Sequence, residues 1–158
     1  MLSHLTLNNF VLIDALDQAM RPGLCVITGE TGAGKSIMLS ALGLVTGARV
    51  QPGLIGQHGT RAEVTAVFDL PAGHPCLEVL EEQDMDAEGE LILRRTVNQD
   101  GRTKAFVNGT AVPVAFLATL GQHLVEIQGQ FDQLAVLSPR NHRGLLDKAL
   151  CRALRADN

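Results

Sequence analysis

Apolar residues Leu2, Leu5, Leu7, Phe10 and Leu12 recur every two or three positions with polar residues between them. That spacing predicts an edge-like pair of strands more than a helix. After the turn signal Arg21-Pro22-Gly23 comes a continuous apolar run, Leu24-Cys25-Val26-Ile27-Thr28. Such runs occupy the middle of sheets covered on both faces, so a buried central strand is expected here. Residues 34–46 are apolar almost all round and stop at Gly47, which suits the position just past a helix end, and a buried helix is expected.

Residues 50–60, with Pro52, Gly53, Gly56 and Gly59, read as an irregular loop. Ala62, Val64, Ala66, Phe68 and Leu70 alternate with Glu63, Thr65, Val67 and Asp69, the mark of a half-buried strand. Residues 90–99 and 103–107 are two further strands joined by Gln99-Asp100-Gly101-Arg102, and Asn108-Gly109 supplies a tight turn into Thr110-Ala111-Val112. A small antiparallel meander is implied. Between these strands the acidic stretch from Glu78 to Glu90 reads as a short helix and its exit loop, with Pro75 near the start. Residues 115–120 predict a short helix, 124–127 a strand, and 128–133 a polar, glutamine-rich loop. Ser138-Pro139 then opens a helix with one apolar stripe (Leu145, Leu146, Ala149, Leu150, Ala153, Leu154), which either packs on its own domain or begins a coiled coil.

At 158 residues, 46% of them hydrophobic, the chain has the size and the material for one globular unit. With five Phe, no Tyr and no Trp, a platform of stacked aromatics for single-stranded nucleic acid is disfavoured. A net charge of −4 advertises no polyanion binding. The charge is uneven, however: residues 61–93 hold one Arg against nine acids, and residues 94–104 hold Arg94, Arg95, Arg102 and Lys104 against Asp100. Solvated faces of a helix and a hairpin account for both blocks, with a local DNA contact as the sharper alternative. Cys25, Cys76 and Cys151 are odd in number and widely spaced, which indicates neither a disulfide framework nor a zinc site and fits a reducing cytosol. No secretory leader or long uncharged apolar run is visible, so no membrane association is expected.

The chemistry resides in Gly29-Glu30-Thr31-Gly32-Ala33-Gly34-Lys35-Ser36, which matches the phosphate-binding pattern G-x-x-x-x-G-K-[ST] between an expected strand and an expected helix. Glycines let the backbone turn with its N–H groups inward, and the following helix N-terminus adds positive potential toward a phosphate. Lys35 would bridge β- and γ-phosphates, and the Ser36 hydroxyl would ligate Mg²⁺. Hydrolysis needs further groups. Asp69, at the end of Val64-Thr65-Ala66-Val67-Phe68-Asp69, is a poor candidate for the metal-binding carboxylate, and no serine- and glycine-rich signature helix is present. The alternative on these residues alone is a small P-loop kinase acting on a nucleoside or metabolite.

Three segments, MLSHLTLNNFVLIDALD, VITGETGAGKSIMLSALGLVTGAR and VEIQGQFDQLAVLSPRNHRGLLD, together resemble the N-terminal part of the RecN family of bacterial DNA-repair proteins, which are SMC-like, ABC-type ATPases. The resemblance implies an α/β fold, the N-terminal lobe of a P-loop ATPase head, with a mixed sheet and an antiparallel meander. It places that lobe at residues 1–137 and a helix leading into a coiled coil at 138–158. It implies ATP and Mg²⁺ as cofactors, with Gly29, Glu30, Thr31, Gly32, Ala33, Gly34, Lys35, Ser36 and Ile37 at the nucleotide. It also makes Gln128 or Gln130 a Q-loop residue beside the metal and the attacking water. The Walker B carboxylates and signature motif would lie in a C-terminal lobe of the same head. Its partners would be that lobe, a second head across ATP, and DNA double-strand ends, in the cytoplasm at the nucleoid. Val11 departs from the pattern, standing where many such heads carry a basic residue.

Overall fold

The computed structural model describes residues 1–27, 34–57, 59–87 and 89–127. Met1–Glu126 forms one compact unit, and a second, Ile127–Asn158, lies outside the described residues but for Ile127. In chain order the elements are β1 (Leu2–Phe10), β2 (Ile13–Ala19), α1 (Gly34–Val45), β3 (Arg61–Asp69), α2 (Pro75–Glu81), β4 (Glu90–Asn98), β5 (Thr103–Val107), β6 (Thr110–Val112) and α3 (Val114–Leu124).

The strands form one six-stranded sheet in the order β2-β1-β3-β4-β5-β6, and each neighbouring pair is antiparallel. The α/β class and the meander expected from sequence are both present. Among the described residues, however, no strand pair is parallel, so the mixed character expected of the sheet is not found there. The hairpin turns follow local chemistry. Asn108 and Gly109 both adopt positive φ (47° and 84°), as the tight turn between β5 and β6 requires, and Gly101 (φ 77°) closes the turn between β4 and β5.

Alternation buries one face of the sheet: Leu5 and Leu7 of β1, Ala62, Val64, Ala66 and Phe68 of β3, Leu91, Leu93 and Val97 of β4, and Ala105 and Val107 of β5. α1 packs on β3 and β4, α3 packs on β5, and α2 packs on α3. The core thus lies between the sheet and its helices. Helix α1 contributes Ile37, Met38, Ala41, Leu44 and Val45 to it. These positions make a single stripe, while Leu39 and Ser40 are exposed. The helix, apolar almost all round and expected to be buried, is buried on one side.

Two expected strands are not formed. Leu24 to Ile27 carry no ladder, and Leu24, Val26 and Ile27 are 94%, 70% and 46% exposed. A strand needs a partner as well as an apolar sequence, and none of the six strands pairs with this run. Residues 124–127 likewise do not pair. Leu124 ends α3, Val125 is its extended C-terminal cap, and the sheet terminates at β6. The final residue of the first run, Thr28, and the helix expected from Ser138 fall outside the described residues.

Candidate functional site

Of the phosphate-loop string, Gly29, Glu30, Thr31, Gly32 and Ala33 lie outside the described residues, as do Gln128 and Gln130. Gly34, Lys35 and Ser36 are described and form the first turn of α1, all three exposed. No acidic residue stands in that turn, so the positive end of the helix is not quenched from within. Among the described residues no ion pair engages Lys35. A helix start that presents an ammonium and a hydroxyl one residue apart fits a phosphate and its Mg²⁺. Ile37, also expected at the nucleotide, turns its side chain into the core at 7% exposure, so only its backbone N–H is available to a phosphate. No group of three or more His, Cys, Asp or Glu that could cage a metal occurs among the described residues, which leaves Ser36 as the metal-binding candidate there.

The other end of α1 is held more firmly than the sequence suggested. Gly47 adopts φ 97°, the left-handed position just past a helix end. Its N–H donates to Leu44 O (3.2 Å), and Ala48 N–H donates to Gly43 O (2.8 Å), closing a Schellman cap. The Thr46 hydroxyl donates to Leu42 O at 2.8 Å. Gly47 and Gly121 let α1 and α3 touch backbone to backbone. A Cβ on Gly47 would stand 2.5 Å from Ala118 N, and one on Gly121 would stand 2.6 Å from Thr46 O.

Arg95 of β4 also holds this end of α1. In the strand Leu91-Ile92-Leu93-Arg94-Arg95-Thr96-Val97 it shares the phase of Leu91, Leu93 and Val97, and its side chain enters the core at 2% exposure. Its Nη1 donates to Leu44 O (2.9 Å) and Ala48 O (2.5 Å), and its Nε donates to Thr103 Oγ1 (3.1 Å). Burial lowers the pKa of this guanidinium from its ordinary value. By composition Arg95 belongs to a basic block, although its alternation with Leu91, Leu93 and Val97 is a sequence signal of the core. Arg95 leaves that block for the core, while Arg94 lies over the Phe106 ring at 4.3 Å and Arg102 pairs with Asp100 at 3.4 Å.

Asp69 stands exposed at the end of β3, opposite Glu90, with its backbone N–H bonded to Met1 O at 2.8 Å. The start of α2 is capped by His74, whose Nδ1 accepts from Cys76 N–H at 3.2 Å.

Relatives share this sequence closely. The chain is 40% identical over 148 residues, 94% of its length, to the DNA repair protein RecN of Vibrio cholerae, and 47% identical over 133 residues, 82% of its length, to that of Haemophilus influenzae. It spans about a quarter of the length of these curated relatives (27% and 24%). No protein-family model matches the chain. Among solved structures, the fold is similar to a chain from work on ATP-driven dimerization and DNA-stimulated activation of SMC ATPases, with TM-score 0.67, 23% identity and coverage of 92% of this chain and 97% of that one. It is also similar to the Smc head domain with an extended coiled coil from Pyrococcus furiosus, with TM-score 0.69, 22% identity and coverage of 93% of this chain and 41% of that one. In sequence, then, the chain is similar to a segment of RecN proteins, and in structure its fold is similar to that of SMC ATPase heads.

Proposed function

We propose that this chain is the nucleotide-binding lobe of a RecN-like ATPase head acting in repair of DNA double-strand breaks. ATP is held by the loop from Gly29 to Ser36, with Lys35 on the β- and γ-phosphates and Ser36 on Mg²⁺. Gln128 or Gln130 approaches the metal and the attacking water. Hydrolysis requires a C-terminal lobe of the same head and engagement of a second head across ATP. The intact protein works on DNA ends in the cytoplasm, and no helix of the described residues is long and apolar enough to cross a membrane.

The observation that carries this reading is the unquenched first turn of α1, which presents Lys35 and Ser36 directly after the glycine string. Further support comes from the exposed apolar run Leu24 to Ile27, immediately before that string. A strand-like apolar segment left bare is what a lobe looks like when the strands that flank it belong to another part of the protein. The RecN name of its relatives is the ground for assigning DNA repair.

The test is ATP binding and turnover by the chain alone and mixed with a C-terminal head lobe, with Lys35→Ala as control. Turnover in the mixture only, lost in Lys35→Ala, is the expected result. Phosphate transfer to a small molecule by the chain alone would overturn it in favour of a kinase.

A further inference from the structure

Arg95 is a charged side chain at a register that β4 otherwise fills with Leu91, Leu93 and Val97. Among the described residues it has no carboxylate partner. Taking an ion out of water costs several kcal/mol even after relaxation, so an apolar residue here would serve core stability at least as well. What the guanidinium meets instead is the negative end of α1: two carbonyls, Leu44 O and Ala48 O, on one nitrogen. Those carbonyls flank the Gly47 cap, and Gly47 is itself pressed on the backbone of Ala118. The C-terminal end of α1 is thereby held from two sides, by β4 and by α3.

A 12-residue helix is about 18 Å long and stiff, so fixing one end fixes the other. A slip of one residue would carry Lys35 about 1.5 Å along the axis and about 100° around it. We propose that Arg95 is a positioning residue for nucleotide binding: its bonds to Leu44 and Ala48 set the axial height and rotation of α1, and so the placement of Lys35 and Ser36 at its other end. This rests on the nucleotide reading of α1 given above. Thr103 orients the guanidinium through its Nε.

The experiment is titration of this chain with a fluorescent ATP analogue in Mg²⁺, at a temperature where circular dichroism shows every variant fully folded. Arg95→Met is expected to weaken binding about tenfold, and Arg95→Lys, which keeps the charge and one donor, to restore part of the loss. Val107→Ala cuts the same core on β5 without touching α1's end, and it should leave affinity within about twofold of the parent. Backbone amide exchange at residues 35–38 should quicken in Arg95→Met and not in Val107→Ala. If Arg95→Met does not fold, Thr103→Val removes one acceptor with little change of shape, and a loss of about two- to threefold is expected. Parent-like affinity in the folded Arg95 or Thr103 variant would overturn the proposal, as would an equal loss in Val107→Ala. Failure of the parent itself to bind, by contrast, would remove the nucleotide reading and this proposal with it.

Discussion

Replacing Gly121 by alanine should destabilise the protein, although helix propensity alone says the opposite. Gly121 lies inside α3, where alanine is favoured over glycine by about 1 kcal/mol. Its new Cβ, however, would stand 2.6 Å from Thr46 O and 2.7 Å from Thr46 Cβ. Weak C–H···O contacts sit at about 3.3–3.6 Å, so α3 and the end of α1 would have to part by about 0.7–1 Å. Overpacking of that kind costs about 1–3 kcal/mol. Gly43 in α1 is the matched control, since its Cβ would meet only Ala48 Cβ at 3.7 Å, an ordinary contact. Gly43→Ala should therefore stabilise by about 0.5–1 kcal/mol. Both variants gain the same propensity, so the gap between them reports the contact alone, about 2 kcal/mol, or on the order of 8 °C in melting temperature. Urea unfolding with unchanged slopes is the assay. Equal stabilisation by the two alanines would refute the close approach of α1 and α3.

Two pH-linked predictions follow from groups around α2. His74 caps the helix as an unprotonated acceptor, and burial foremost, then the N-terminal amine and His123, lower its pKa from 6.5. The unfolded chain thus binds the proton more readily, and the cap's contribution, about 1 kcal/mol, is present above pH 6.5 and lost as pH falls through the folded value. His74→Ala should accordingly lower stability at pH 8 and make little difference at pH 5, as measured by urea midpoints. Cys76 is fully buried with Sγ 3.7 Å from Leu120 O, and burial raises its thiol from 9.0 to about 11. At pH 8 only about a thousandth of it is thiolate, so thiol reagents should label exposed Cys25 at once and Cys76 only on unfolding. Because the unfolded thiol ionises first, stability should fall as pH rises from 9 toward 11 in the parent and not in Cys76→Ala, by denaturant midpoints.

Local patterns carried much of this protein. Alternation from Ala62 to Leu70 and turns at Gly101 and Asn108-Gly109 specify β3 to β6, because strand period and left-handed turn geometry are properties of a few adjacent residues. The glycine cap at Gly47 and the phosphate-loop string are legible for the same reason. Partner choice is not local. Leu24 to Ile27 have the composition of a central strand, yet pairing needs a partner strand, and none of the six described strands pairs with them. Arg95 reads as surface charge by composition and as core by register; only the meeting of β4 with the carbonyl end of α1 resolves that conflict, by giving a buried cation a compensating dipole. Gly47 and Gly121 are 74 positions apart, and no sequence spacing announces that their missing side chains let two helices touch. The sequence by itself marked most of the strands and helices and the phosphate-loop string; the tertiary structure decided which apolar runs pair, and which end of α1 is held and by what, since that depends on contacts between residues far apart in the chain.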